Sequence, residues 1–125
     1  ILVDAVFTFV SENGEIFKDM EELLDTYPNR KIILTGAKHE DFTKYNLDKM
    51  PYEVFTLQHD PEKTDPKYYQ MMLEHFDLPL NEVIYFEHGK EAVESARSVG
   101  ISTYFYDNEK KDLKALKEFL DSSLN

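Results

Sequence analysis

Residues 1–10 read ILVDAVFTFV, an apolar segment that holds a single charged side chain, Asp4. The β-branched and aromatic residues of this segment favour a β-strand. Burial of an unpaired carboxylate costs several kcal/mol, so Asp4 needs either a cationic partner or a chemical role. The segment therefore predicts a strand that carries a carboxylate of structural or chemical importance.

Four further apolar runs follow this segment at steady intervals. Each run is short and continuous, and it is rich in β-branched or aromatic residues, which favours strands covered on both faces of a parallel sheet. These runs predict the strands Lys31–Leu34, Glu53–Leu57, Glu82–Phe86 and Ile101–Phe105, and Ile1–Val3 makes a fifth.

Helical patterns separate the predicted strands. Apolar residues spaced three and four apart predict amphipathic helices in three groups: Ile16, Met20, Leu23 and Leu24; Tyr69, Met72, Leu73 and Phe76; Leu113, Leu116 and Leu120. Asp65-Pro66 is typical of a helix start, and Gly100 is typical of the end of a helix over residues 90–99. We predict one helix in each gap, including the gap between Thr35 and Lys63. The alternation predicts one α/β domain over residues 1–125, with a doubly wound parallel sheet between two helical layers.

The composition excludes several classes of function. The 125 residues include 14 Lys and Arg against 25 Asp and Glu, a net charge of −11, which repels nucleic acids and anionic membranes. We therefore expect a small-molecule substrate or ligand. The chain has no Cys, which excludes a thiolate nucleophile and Cys-ligated metal centres. The apolar runs are far shorter than a bilayer span, and we expect a cytoplasmic protein.

Candidate site residues follow the predicted strands, because ligands of open parallel sheets bind beyond the carboxyl ends of the strands. These positions are residues 4–8, 35–37, 59–63, 87–89 and 105–107. The histidines in and near them, His39, His59 and His75, lack the spacing of a zinc site.

Four segments in this order resemble motifs of the haloacid dehalogenase-like (HAD) superfamily of hydrolases. Residues 1–8 (ILVDAVFT) resemble a first motif in which a strand is followed by Asp-x-Asp-x-Thr. Residues 32–35 (IILT) resemble a second motif, a strand that ends in Ser or Thr. Residues 63–66 (KTDP) resemble the third, and residues 83–88 (VIYFEH) with Ala96 and Gly100 resemble the fourth.

The resemblance implies a five-stranded sheet of order 5-4-1-2-3 without a cap domain. It also implies a phosphatase-type reaction in which Asp4 is the nucleophile and forms a covalent aspartyl intermediate. Thr8 belongs to the same motif, Thr35 would hold a phosphoryl oxygen, and Lys63 would neutralise charge. Relatives of this kind use Mg²⁺, for which Asp4 and Glu87 are the candidate ligands here.

The sequence departs from the family pattern at three positions. Val6 replaces the second Asp, which serves as general acid and base, so we expect weak or impaired hydrolysis. Phe7 replaces a Gly, and His88 stands at the position of a metal-binding Asp, beside Glu87. The dehalogenase branch of the family also lacks the second Asp and works without a metal.

Structural and non-hydrolytic interpretations stay open. Asp4 could pair with Lys63 for stability alone, and Thr35 could cap a helix that starts near Lys38. In the alternative function, natural or engineered, a mostly apolar cleft binds a small aromatic ligand or a protein partner, or uses a carboxylate as general base. The residues expected to line this cleft or to bind substrate are Phe7, Gly36, His88, Gly89 and Phe105.

Overall fold

The computed structural model describes residues 1–124, in which five parallel strands form one sheet of order β3-β2-β1-β4-β5. The strands are β1 (Leu2–Asp4), β2 (Ile32–Thr35), β3 (Glu53–Thr56), β4 (Ile84–Glu87) and β5 (Ser102–Phe105). The predicted parallel sheet, with the first strand in the middle, is confirmed. Asn125, the last residue of the predicted domain, lies outside the described residues.

Four α-helices cover the two faces of the sheet: α1 (Lys18–Asp25), α2 (Pro66–Phe76), α3 (Lys90–Val99) and α4 (Leu113–Ser123). Val3 and Ile33 pack with Met20 and Leu116 of α1 and α4 on one face. On the other face, Leu2 and the neighbouring strands pack with α2 and α3. The result is a Rossmann-like α/β fold of three layers, and within the described residues no inserted domain interrupts it.

The predicted helix boundaries around α2 and α3 are confirmed. Asp65 is the N-cap of α2, and its carboxylate accepts a hydrogen bond of 3.0 Å from the backbone N–H of Lys67. Pro66 then occupies the first helical position, where its missing N–H costs nothing. Gly100 ends α3 with φ +105°, a conformation that Gly adopts readily.

The prediction of a helix between Thr35 and Lys63 is wrong. Residues 36–52 contain only two short 3₁₀ turns, His39–Asp41 and Leu47–Lys49. Between these turns Asn46 adopts a left-handed conformation with φ +55°, which cannot continue a right-handed helix. Thr35 consequently caps no α-helix, and its hydroxyl oxygen instead accepts a hydrogen bond from the Ala37 N–H at 3.1 Å.

No helix among the described residues combines the length and the apolar character that a membrane crossing needs.

Candidate functional site

Two carboxylates meet at the carboxyl end of the sheet. Asp4 is the last residue of β1 and Glu87 is the last residue of β4, and these strands are neighbours in the sheet. Both residues are buried, with 3% of Asp4 and 2% of Glu87 exposed. Cationic side chains from distant parts of the chain cover the Asp4 carboxylate.

Lys63 bridges the two carboxylates from one side. Its Nζ lies 2.6 Å from Oδ1 of Asp4 and 2.6 Å from Oε1 of Glu87. The same ammonium donates a hydrogen bond to the backbone oxygen of Leu34 at 3.1 Å. The loop after β3 thus delivers the lysine of the KTDP segment to the central strand, as the spacing of the motifs predicted.

His88 bridges the same carboxylates from the other side. Its Nδ1 hydrogen-bonds to Oδ2 of Asp4 and lies 3.2 Å from Oε2 of Glu87. The Thr8 hydroxyl donates to the same Asp4 oxygen at 2.6 Å. Each oxygen of the two carboxylates therefore faces the Lys63 ammonium or the His88 ring.

Neighbouring residues complete the hydrogen bonding of Glu87. The Tyr85 hydroxyl donates to Oε1, and the Gly89 N–H donates to Oε2 at 3.0 Å. A Cβ added at residue 89 would lie 3.4 Å from Oε2, an ordinary van der Waals contact, so this turn does not depend on Gly. Tyr85 lies two residues before Glu87 on the same face of β4, and its contribution was not predicted from the sequence.

Burial and mutual charge shift the pKa values of this cluster. Burial raises the pKa of Asp4, the charge of Glu87 raises it further, and Lys63 opposes both effects. Burial alone would also raise the pKa of Glu87, but Lys63 and then His88 hold it well below its usual range. Hydrogen bonds to Asp4 and then to Glu87 raise the pKa of His88 to about 10. At neutral pH, His88 and Lys63 thus supply two positive charges against the two carboxylates.

A pocket of about 290 Å³ opens above this cluster. Asp4, Lys63 and His88 contribute to its lining, together with Thr35 and Gly36 from the end of β2. Because the Thr35 hydroxyl oxygen accepts from the Ala37 N–H, its own hydrogen stays available to a ligand oxygen.

Phe7 forms part of the pocket rim and is exposed by 47%, the largest exposure of any large apolar side chain in the described residues. Its φ of +71° lies in the left-handed region, which a bulky residue rarely adopts. Its ring meets the His88 ring edge-on, with the centroids 5.7 Å apart. An aromatic side chain thus stands directly beside the charged cluster.

The other residues expected to bind substrate are placed differently. Gly36 and His88 line the pocket, whereas Gly89 and Phe105 do not contribute to its lining. Gly89 contacts the Glu87 carboxylate, and the Phe105 ring lies 5.8 Å from Nζ of Lys90. His59, which lies among the candidate positions predicted after the third strand, also lines the pocket.

The residues at this site do not fit Mg²⁺. Donor atoms of Asp4, Glu87 and His88 lie within 4.8 Å of one another, but one of them is a ring nitrogen, and Mg²⁺ requires nearly octahedral oxygen ligands. Lys63 occupies the space between Oδ1 and Oε1, and Nδ1 of His88 occupies the space between Oδ2 and Oε2. A cation shared by both carboxylates would have to displace one of these charged groups.

Comparisons with known proteins support the fold alone. No family model and no curated protein matches this chain. The crystal structure of an uncharacterized protein from Corynebacterium glutamicum is similar, with a TM-score of 0.66 and 12% sequence identity over 96% of this chain and 93% of the other. At 12% sequence identity, this similarity supports a shared arrangement of strands and helices and no conclusion about function.

Proposed function

We propose that this protein is a hydrolase that uses Asp4 as a nucleophile on phosphate esters with good leaving groups, such as aryl phosphates. The single observation that carries the proposal is the position of the Asp4 carboxylate. It lies at the end of the central strand and contributes to a pocket of about 290 Å³, with Lys63 and Thr8 each 2.6 Å from its oxygens. Open parallel sheets bind their ligands at this position.

The first step is attack of an Asp4 oxygen on phosphorus, which forms an aspartyl phosphate and breaks the bond between phosphorus and the leaving oxygen. Oδ1 faces Lys63, and Oδ2 faces Thr8 and His88. The His88 side chain is 28% exposed, so a turn of its ring towards solvent frees Oδ2 for the attack. Lys63 and the Thr35 hydroxyl then remain to stabilise the transferring phosphoryl oxygens.

Val6 itself takes no part in proton transfer at this site. The second Asp of the family motif would protonate the leaving group, and a valine side chain cannot transfer a proton. Esters whose leaving group departs as a stable anion avoid this requirement. Water then attacks the phosphorus of the aspartyl phosphate, releases phosphate and regenerates Asp4.

We also propose that turnover needs no divalent cation, because Lys63 and His88 already neutralise Asp4 and Glu87. Nδ1 of His88 stands where a metal ion would have to bridge Oδ2 and Oε2. Replacement of this ring by an oxygen donor in His88→Asp would supply three carboxylates, a set that suits Mg²⁺. We expect calorimetric Mg²⁺ binding to that variant and none to the wild type.

The test is hydrolysis of a nitrophenyl phosphate with and without EDTA. We expect slow turnover that EDTA does not change and that Asp4→Asn abolishes. Asp48→Asn, which removes an exposed carboxylate that does not line the pocket, is the matched control and should keep the wild-type rate. Turnover that survives in Asp4→Asn, or no turnover in the wild type, would exclude the proposed hydrolase.

A second candidate function is binding of a small aromatic anion without turnover, and the exposure of Phe7 favours it. An exposed aromatic ring next to two cationic side chains suits a ligand that has an aromatic part and an anionic part. Fluorescence titration with naphthyl phosphate tests this candidate. Saturable binding that weakens in Phe7→Ala, without hydrolysis, would support it over the hydrolase, and absence of binding would exclude it.

A further inference from the structure

His59 is a pocket residue that the proposed reaction has not yet used. It follows β3 and lines the same pocket as Asp4 and Lys63. Its Nδ1 lies 2.9 Å from Oε2 of Glu62. A carboxylate oxygen accepts hydrogen bonds, so Nδ1 is the donor in this pair, which leaves Nε2 as the ring nitrogen for contact with a ligand.

The loop that carries His59 is tied to the neighbouring strand end. The Thr56 hydroxyl donates to the backbone oxygen of Ala37, and the Gln58 side chain accepts from the His39 N–H at 3.3 Å. Gln58 and His59 are consecutive residues with φ +56° and +64°, which side chains of this size rarely adopt. Such outliers concentrate at functional sites, where the surrounding structure maintains them.

Gly36 leaves the space that the His59 ring needs. A Cβ built on Gly36 would lie 3.0 Å from Nδ1 and 3.1 Å from Cε1 of His59. These distances are too short for a side chain at position 36 unless the imidazole moves. The turn after β2 therefore accommodates the His59 ring beside the pocket.

We propose that His59, oriented by Glu62, is the general acid and base of the hydrolase, in the place of the Asp that Val6 replaces. This inference rests on the proposed function. As an Asp4 oxygen bonds to phosphorus, the bond from phosphorus to the leaving oxygen breaks, and that oxygen takes the proton from Nε2. In the second step Nε2 takes a proton from the attacking water, and the bond between phosphorus and Asp4 breaks. His59 and Asp4 return to their starting states.

The experiment compares a phenyl phosphate with a dinitrophenyl phosphate in His59→Gln. The measured quantity is kcat/KM, which reports the steps up to formation of the aspartyl phosphate. Phenoxide is the poorer leaving group and depends more on protonation, so its kcat/KM should fall by about 100-fold or more. Hydrolysis of the dinitrophenyl ester, whose leaving group departs unprotonated, should fall by only a few fold. Glu62→Gln should show the same selectivity with a smaller loss.

His75→Gln, which replaces an exposed histidine of α2 that does not line the pocket, is the matched control and should leave both rates unchanged. The role of His59 would be overturned if His59→Gln and Glu62→Gln both lower kcat/KM equally for the two esters, or lower it for neither. Either result leaves the Asp4-dependent turnover standing. Asp41 also lines the pocket. If Asp41→Asn shows the selective loss of phenyl phosphate hydrolysis and His59→Gln shows none, Asp41 is the residue that protonates the leaving group. Absence of any wild-type turnover would overturn the proposed function as well.

Discussion

Lys63→Met tests the electrostatics of the cluster most directly, because it leaves Asp4 and Glu87 buried without their shared ammonium. Each N–O distance is 2.6 Å, so each attraction is about 6 kcal/mol at an effective dielectric constant of about 20. Dehydration of the three charged groups offsets most of this energy in the wild type. Removal of one partner from a buried ion pair costs about 3–5 kcal/mol, and we expect a loss in this range for the free energy of unfolding.

Urea denaturation at several pH values measures this loss and its cause. In Lys63→Met, burial without the lysine raises the pKa of both carboxyl groups above their values in the unfolded chain. Their ionised forms therefore destabilise the folded variant at neutral pH, and proton uptake on acidification removes that penalty. In the wild type the lowered pKa of Glu87 gives stability that is lost as pH falls, whereas the raised pKa of Asp4 acts in the opposite direction. The difference between the two proteins should thus shrink as the pH falls from 7 towards 4.

Lys117→Met is the matched control for this experiment. Nζ of Lys117 lies 2.7 Å from Oδ2 of Asp121, nearly the same distance, but the two side chains are 57% and 46% exposed. Solvent screens an exposed pair of this kind, so it contributes little to the free energy of unfolding. If Lys63→Met costs no more than Lys117→Met, or if its cost does not change with pH, the ascribed role of buried charge is refuted.

Three further substitutions give distinct outcomes. His88→Asn should lower the free energy of unfolding by about 2 kcal/mol at pH 6, as measured by urea denaturation. This loss should shrink as the pH rises to about 10, because the contact with Asp4 raises the pKa of His88 in the folded protein. A loss that is independent of pH would contradict this. Phe7→Gly should increase the free energy of unfolding by about 1 kcal/mol, since φ +71° strains Phe but not Gly, and a lower melting temperature would oppose it. Gly14→Ala should lower the free energy of unfolding by about 2 kcal/mol or more in the same assay. The added Cβ would lie 2.7 Å from the Tyr45 carbonyl carbon, and φ at residue 14 is +81°. A variant as stable as the wild type would disprove the clash.

The sheet could be predicted from the sequence because its signal is local. Ile32–Leu34 and Ile84–Phe86 are continuous apolar segments, as strands buried on both faces require. The region between β2 and β3 could not be predicted in the same way. Phe42 and Leu47 do contact the core, but Asn46 turns the chain between them into a left-handed conformation that tertiary packing selects.

The site was predictable only in part, because its contacts join distant positions. The pairing of Asp4 with Lys63, 59 residues apart, followed from the order of the motifs. The contact of Asp4 with His88 could not be predicted in this way, since it joins residues 84 positions apart and forms only in the folded chain. The approach of His59 to Gly36 was equally hidden, because it depends on the conformation of a loop.

The buried cluster of Asp4, Glu87, Lys63 and His88 is a poor device for stability alone. Replacement of buried ion pairs by well-packed apolar residues is often neutral or stabilising, so four ionisable side chains at one end of the sheet add little stability that leucine or methionine would not. What the cluster does provide is a carboxylate held at a fixed position beside the Lys63 ammonium, which is already in place to stabilise an arriving anion. Phe7 fits the same interpretation, because its strained backbone conformation exposes an aromatic ring at the rim of the pocket and away from the core. In each case the local cost is understandable if this end of the sheet binds a ligand.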